Sequence, residues 1–82
     1  MTSAAEIIAT VTEIMQDPSI QKNIRIKLDK IVTELKAAKP KELKLKADKW
    51  VSDLDEISSD MNIDSFIRTQ LYGIASMLES IE

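Results

Sequence analysis

No cysteine and no histidine occur in the 82 residues, and there is one glycine, two prolines and one each of tryptophan, tyrosine and phenylalanine. The missing thiols and imidazoles exclude disulfide frameworks, zinc fingers, thiol nucleophiles and imidazole acid–base chemistry. One glycine and two prolines leave little material for a turn-rich β fold or a phosphate-cradling loop. No uncharged run approaches the ~18 apolar residues of a membrane span. A signal peptide's basic-then-apolar layout is also missing from the N-terminus. Eleven basic side chains against 14 acidic ones give −3, so there is no global basic field for nucleic acid. What is present is ordinary for a folded domain: 44% apolar and 30% charged residues. The length suits one small core, and residues 1–82 are read as a single cytoplasmic domain.

Four stretches carry helical periodicity. Ser3-Ala4-Ala5-Glu6 reads as a capping box. Behind it Ile7, Ile8, Val11, Ile14 and Met15 place a helix to about Gln16. Asp17-Pro18-Ser19 is turn chemistry. Ile20, Ile24, Leu28, Ile31 and Leu35 mark a second helix ending near Lys39, where Pro40 stops it and opens a third. That third helix carries Leu43, Ala47, Trp50, Val51, Leu54 and Ile57 on one face. Ser58 to Ile63 form a loop, Asp64 is an N-cap, and the last helix uses Ile67, Leu71, Ile74, Leu78 and Ile81. No segment calls for a strand.

The chain resembles itself at an offset of 43. Between residues 7–39 and 50–82 nine positions coincide without gaps, among them Glu13/Glu56, Asp17/Asp60 and Arg25/Arg68. Helical periodicity explains the aliphatic matches but does not demand those three polar ones. The expectation is two helical hairpins, repeat 1 over about 4–39 and repeat 2 over about 41–82. They form an all-α, up-down-up-down four-helix domain.

Two resemblances follow. Asp17-x-x-Ile20-x-x-x-Ile24-Arg25 and Asp60-x-x-Ile63-x-x-x-Ile67-Arg68 resemble the inter-helix turn of a HEAT repeat. That resemblance implies a polar ladder in which Asp17, Arg25, Asp60 and Arg68 tie neighbouring repeats together. Leu54-Asp55-Glu56-Ile57-Ser58-Ser59-Asp60-Met61-Asn62, followed by Arg68-Thr69 and Met77-Leu78-Glu79-Ser80-Ile81, is similar to the archaeal Uncharacterised Protein Family 0147. The similarity is strongest over 47–82 and weaker but continuous over 7–36. It implies small, all-helical, intracellular proteins, and it implies no activity.

Each candidate site has a plain alternative. Asp53, Glu56 and Asp60 share a helix face and could hold a hard cation such as Mg²⁺, but a solvated face with Asp60 paired to Arg68 is the preferred reading. Asp64-Ser65-Phe66 resembles the attachment site of acyl carrier proteins, yet only one helix follows Ser65, so carrier function is rejected. Arg25 and Arg68 could bind anions at helix starts, but their joint recurrence with Asp17 and Asp60 favours a structural role.

Charge is distributed unevenly. Residues 22–49 hold ten of the 11 basic side chains against four acids, whereas residues 50–82 have seven acids and only Arg68. Lys39, Lys41, Lys44 and Lys46 form the candidate polyanion contact around the middle turn, with a solubilising surface as its alternative. Beside the core stripe of the second helix run Asn23, Lys27, Lys30 and Glu34, which the offset turns into Phe66, Gln70, Gly73 and Met77. Phe66, Gly73 and Met77, with Tyr72, are therefore a candidate interface with a second copy. The other explanation is internal: the fourth helix turns this flank to the first hairpin, while the second turns its own to water. The functional expectation is a non-catalytic interaction or scaffolding module that needs no cofactor and self-associates or meets a protein partner. An RNA- or ribosome-associated adaptor is the alternative, and an enzyme is not expected.

Overall fold

The computed structural model describes residues 2–81. Four helices follow one another: α1 Ala4–Met15, α2 Lys22–Ala37, α3 Pro40–Ser58 and α4 Ser65–Glu79. They lie along the long axis of a body 35 × 19 × 18 Å, as a 19-residue helix of about 28 Å requires. Caps set the starts. Ser3 Oγ accepts from the Glu6 N–H at 3.2 Å, and Asp64 Oδ2 accepts from the Phe66 N–H at 2.9 Å. At α3 the Glu42 carboxylate reaches back to the Lys39 N–H at 2.8 Å. The second helix ends two residues before the expected Lys39, because a residue preceding proline is pushed out of helical geometry; Ala38 and Lys39 are extended. Ile81 lies past the end of α4 rather than in it, yet is buried, held where the Thr2 N–H donates to Ser80 O at 3.1 Å.

The apolar stripes meet in one core that includes Ile7, Val11, Leu28, Trp50, Leu71, Ile74 and Leu78, each fully buried. Burial follows the offset of 43: Ile7/Trp50, Val11/Leu54, Ile20/Ile63, Ile24/Ile67 and Leu28/Leu71 are buried in both halves. Helices α1 and α2 pack as one hairpin and α3 and α4 as the other; α1 then closes on α4, and α2 on α3. This is the four-helix domain expected. In a solenoid stack like helices would lie side by side, α1 on α3 and α2 on α4. Here unlike helices meet, so two hairpins close on each other about a pseudo-twofold axis and cover one another's flanks.

Candidate functional site

The two inter-helix turns sit together at one end of the bundle and repeat the same arginine and aspartate contacts to backbone, the Ser19 hydroxyl bond to Asp17 being the one addition. Arg25 Nε donates to Met15 O at 3.0 Å and its Nη2 to Asp17 O at 3.5 Å. Arg68 Nε donates to Ser58 O at 2.9 Å and its Nη2 to Asp60 O at 3.0 Å. Each Nε thus satisfies a last-turn carbonyl, Met15 O or Ser58 O, at the negative end of a helix dipole, while each Nη2 shares a turn carbonyl, Asp17 O or Asp60 O, with the N–H of Ile20 or Ile63. The aspartates do something else. Asp17 Oδ1 accepts from the Ser19 N–H and hydroxyl at 2.9 and 2.7 Å, and Asp60 Oδ1 accepts from the Asn62 N–H at 2.9 Å. Those Ser19 bonds, the backbone one first, hold the Asp17 carboxyl below its ordinary range. The expected Asp17–Arg25 and Asp60–Arg68 ion pairs are thus replaced by bonds to backbone, because these carbonyls lie nearer the fork than the carboxylates do. No ladder joins the repeats through these four residues. The contact between the turns is instead Gln21 Nε2 donating to Asn62 O at 3.3 Å.

Around the middle turn Lys36, Lys39, Lys41, Lys44 and Lys46 are all exposed. Only Lys46 has a carboxylate beside it, Glu42 at 3.6 Å. The Lys39 N–H, and then Lys46, hold the Glu42 carboxyl below its ordinary range. Among these lysines stands Leu45, 81% exposed, one helical turn from Lys41 and from Lys49. Sequence periodicity left Leu45 unassigned. Its signal was an aliphatic residue on the polar side of an otherwise regular stripe. Towards α4 the same surface runs into an open groove of about 530 Å³, floored by Ala47, Leu78 and Ile81, with Lys44, Asp48 and Glu79 on its rim.

The seam between α2 and α3 was not anticipated. Trp50 is fully buried, and its Nε1–H donates to Glu34 Oε1 at 2.9 Å; Lys49 Nζ sits on the same carboxylate at 3.0 Å. The indole N–H, and after it Lys49, holds the Glu34 carboxyl below its ordinary range. A buried tryptophan needs an acceptor, and a glutamate on the preceding helix was the available signal. Of the α2 flank expected to face water, Asn23, Lys27 and Lys30 are exposed, and Glu34, half-buried, turns to α3. Lys27 and Lys30 line a cavity of about 170 Å³ opposite Asp53 and Glu56. Asp53, Glu56 and Asp60 do not converge as a metal-holding group among the described residues.

On α4, Phe66 is 59% and Tyr72 55% exposed, and Met77 is half-buried against the core. A Cβ added to Gly73 would meet nothing within 4 Å, so no helix of this chain approaches it closely. Tyr72 lies about a third of a turn round the helix from the Phe66–Gly73–Met77 stripe and does not share its face. Among the described residues no helix is long and apolar enough to cross a membrane.

With this geometry in place, the family model described as Uncharacterised protein family (UPF0147) matches residues 2–81. A UPF0147 protein of Archaeoglobus fulgidus is 30% identical over 76 residues, covering 93% of this chain and 85% of the relative. One from Thermoplasma volcanium is 34% identical over 76 residues, covering 93% and 84%. One from Thermoplasma acidophilum is 34% identical over 79 residues, covering 93% and 85%. No solved structure matches.

Proposed function

The chain belongs to the family UPF0147, and we propose that it works in the cytoplasm as a non-catalytic interaction module whose docking face is the start of α3. The occupant of that face is an acidic protein surface. One observation carries this reading: Leu45 is 81% exposed in the middle of Lys41, Lys44, Lys46 and Lys49. An apolar anchor inside a charged rim is the composition of a protein–protein contact. RNA would call for aromatic or arginine stacking surfaces, and this face has neither. The lysines supply steering and register, and Leu45 supplies the buried area.

The test is affinity capture from native lysate with the intact chain, with and without nuclease. The expected result is an acidic protein retained through nuclease treatment and lost with Leu45→Ser, or with Lys39, Lys41, Lys44 and Lys46 all changed to glutamine. Retention that nuclease abolishes would replace this reading with the RNA adaptor. Self-association through Phe66, Gly73 and Met77 is a second reading, favoured by the exposed Phe66 and the open space over Gly73. Sedimentation of the native chain against Gly73→Gln decides it, since only a dimer packed on Gly73 dissociates.

A further inference from the structure

The cavity between α2 and α3 is a separate feature from the lysine-bearing start of α3. Its floor is Ile31 and Ile57, both nearly fully buried. One bank carries two ammonium groups, Lys27 and Lys30; the other carries two carboxylates, Asp53 and Glu56. The register set by Glu34 against Trp50 brings Lys30 level with Asp53 and Lys27 level with Glu56. Neither pair closes into a salt bridge. Trp50, the largest side chain in the core, stands one to two turns from the cavity, where the other half of the molecule has Ile7. Glu34 holds it through the indole N–H.

An open cleft with cations on one bank, anions on the other and an aliphatic floor has a defined chemical complement. A ligand of single charge would satisfy one bank and be repelled by the other. A neutral ligand would engage neither bank. We propose that this cleft binds a free zwitterionic α-amino acid with an aliphatic side chain. Its carboxylate meets Lys27 and Lys30, its ammonium meets Asp53 and Glu56, and its side chain covers Ile31 and Ile57. A volume of about 170 Å³ equals about six waters at ~30 Å³ each, which suits a molecule of the size of valine or leucine. The molecule carries its own control. At the offset of 43 the floor is kept, as Ile74 and Ile14, but the banks become Gln70, Gly73, Thr10 and Glu13, with a single charge.

Titration of the whole chain with L-leucine, followed by ¹H–¹⁵N spectra, tests this. Saturable shifts are expected at the amides of 27–31 and 53–57, with those of 10–14 and 70–74 silent. Isopentylamine lacks the carboxylate and 4-methylpentanoate lacks the ammonium; each should bind at least tenfold more weakly. Lys27→Gln with Lys30→Gln, and separately Asp53→Asn with Glu56→Gln, should each weaken leucine tenfold or more while thermal unfolding shows both variants folded. The proposal is overturned if tens of millimolar leucine moves none of these resonances. It also falls if either analogue binds as well as leucine, or if both charge-removing variants, shown to be folded, bind it unchanged.

Discussion

The seam between α2 and α3 and the seam between α1 and α4 occupy equivalent places in the repeat, yet they are built from different chemistry. Where α2–α3 has Trp50, Glu34, Lys27, Lys30 and Asp53, the equivalent positions hold Ile7, Met77, Gln70, Gly73 and Thr10. The first set packs more loosely and is tied by a charge-assisted bond to a buried indole; the second packs more closely with hardly any charge. The lesson is that the repeat specifies the hairpins and not their junctions. The arginine bonds of each turn are reproduced in the other, because free helix-end carbonyls demand a partner in either copy. The junctions lie beyond that demand and have diverged.

The largest effect expected from attacking this difference is at Trp50. Trp50→Ala removes the largest buried side chain of the core and should cost about 3–5 kcal/mol. Ile7→Ala, at the equivalent place, deletes less volume and should cost less, about 2–4 kcal/mol. Urea denaturation of the two variants measures both. Equal losses would mean that the seams are energetically alike despite their chemistry.

Next comes the bond itself. Glu34→Ala leaves the Trp50 Nε1–H buried without an acceptor and should cost about 1–3 kcal/mol. Glu34→Met combined with Trp50→Phe removes donor and acceptor together, so its loss should be smaller than the sum of the single losses. Strict additivity would show that the bond contributes nothing to the seam.

The same carboxylate gives the seam a pH dependence, where the equivalent position, Met77, has no group to titrate. Glu34 is held below its ordinary value in the folded chain, so its contribution to stability is complete above the unfolded carboxyl's value. That contribution falls away as pH drops through the lower, folded one. Unfolding followed from neutral to acid pH should therefore decline less steeply for Glu34→Gln than for the native chain. Parallel acid limbs would leave Glu34 without a titrating role.

How much of this was legible follows from which forces are periodic. Apolar recurrence and the Asp17-Pro18 and Lys39-Pro40 signals located all four helices, since burial and proline act locally on sequence. The offset of 43 exposed Arg25 and Arg68 as structural, though their partners were misassigned. A sequence shows that a carboxylate is near, but not that a helix-end carbonyl is nearer. The Glu34–Trp50 bond spans the middle turn and depends on how α2 and α3 rotate about their axes, which no single helix encodes. Leu45 stood in plain view, but a lone exposed leucine is ordinary until the structure rings it with lysines.

The smallest effect distinguishes the seams at their most divergent pair, Lys30 and Gly73. Gly73 is exposed in the interior of α4, its backbone angles are ordinary, and a Cβ there meets nothing within 4 Å. Nothing in this chain requires glycine at that point. Alanine should then stabilise the helix by about 0.5–1 kcal/mol, through reduced freedom of the unfolded chain and better helix propensity. The Lys30→Ala change in α2 touches neither term appreciably, because lysine and alanine differ little in propensity, so it should leave stability within about 0.5 kcal/mol. Thermal unfolding at several protein concentrations measures both. A gain for Gly73→Ala that is independent of concentration means the position is free, and the glycine is a tolerated loss in a seam that has no charge to spare. A loss that shrinks on dilution means a second helix lies against it, in which case the tight seam, and not the charged one, faces another copy.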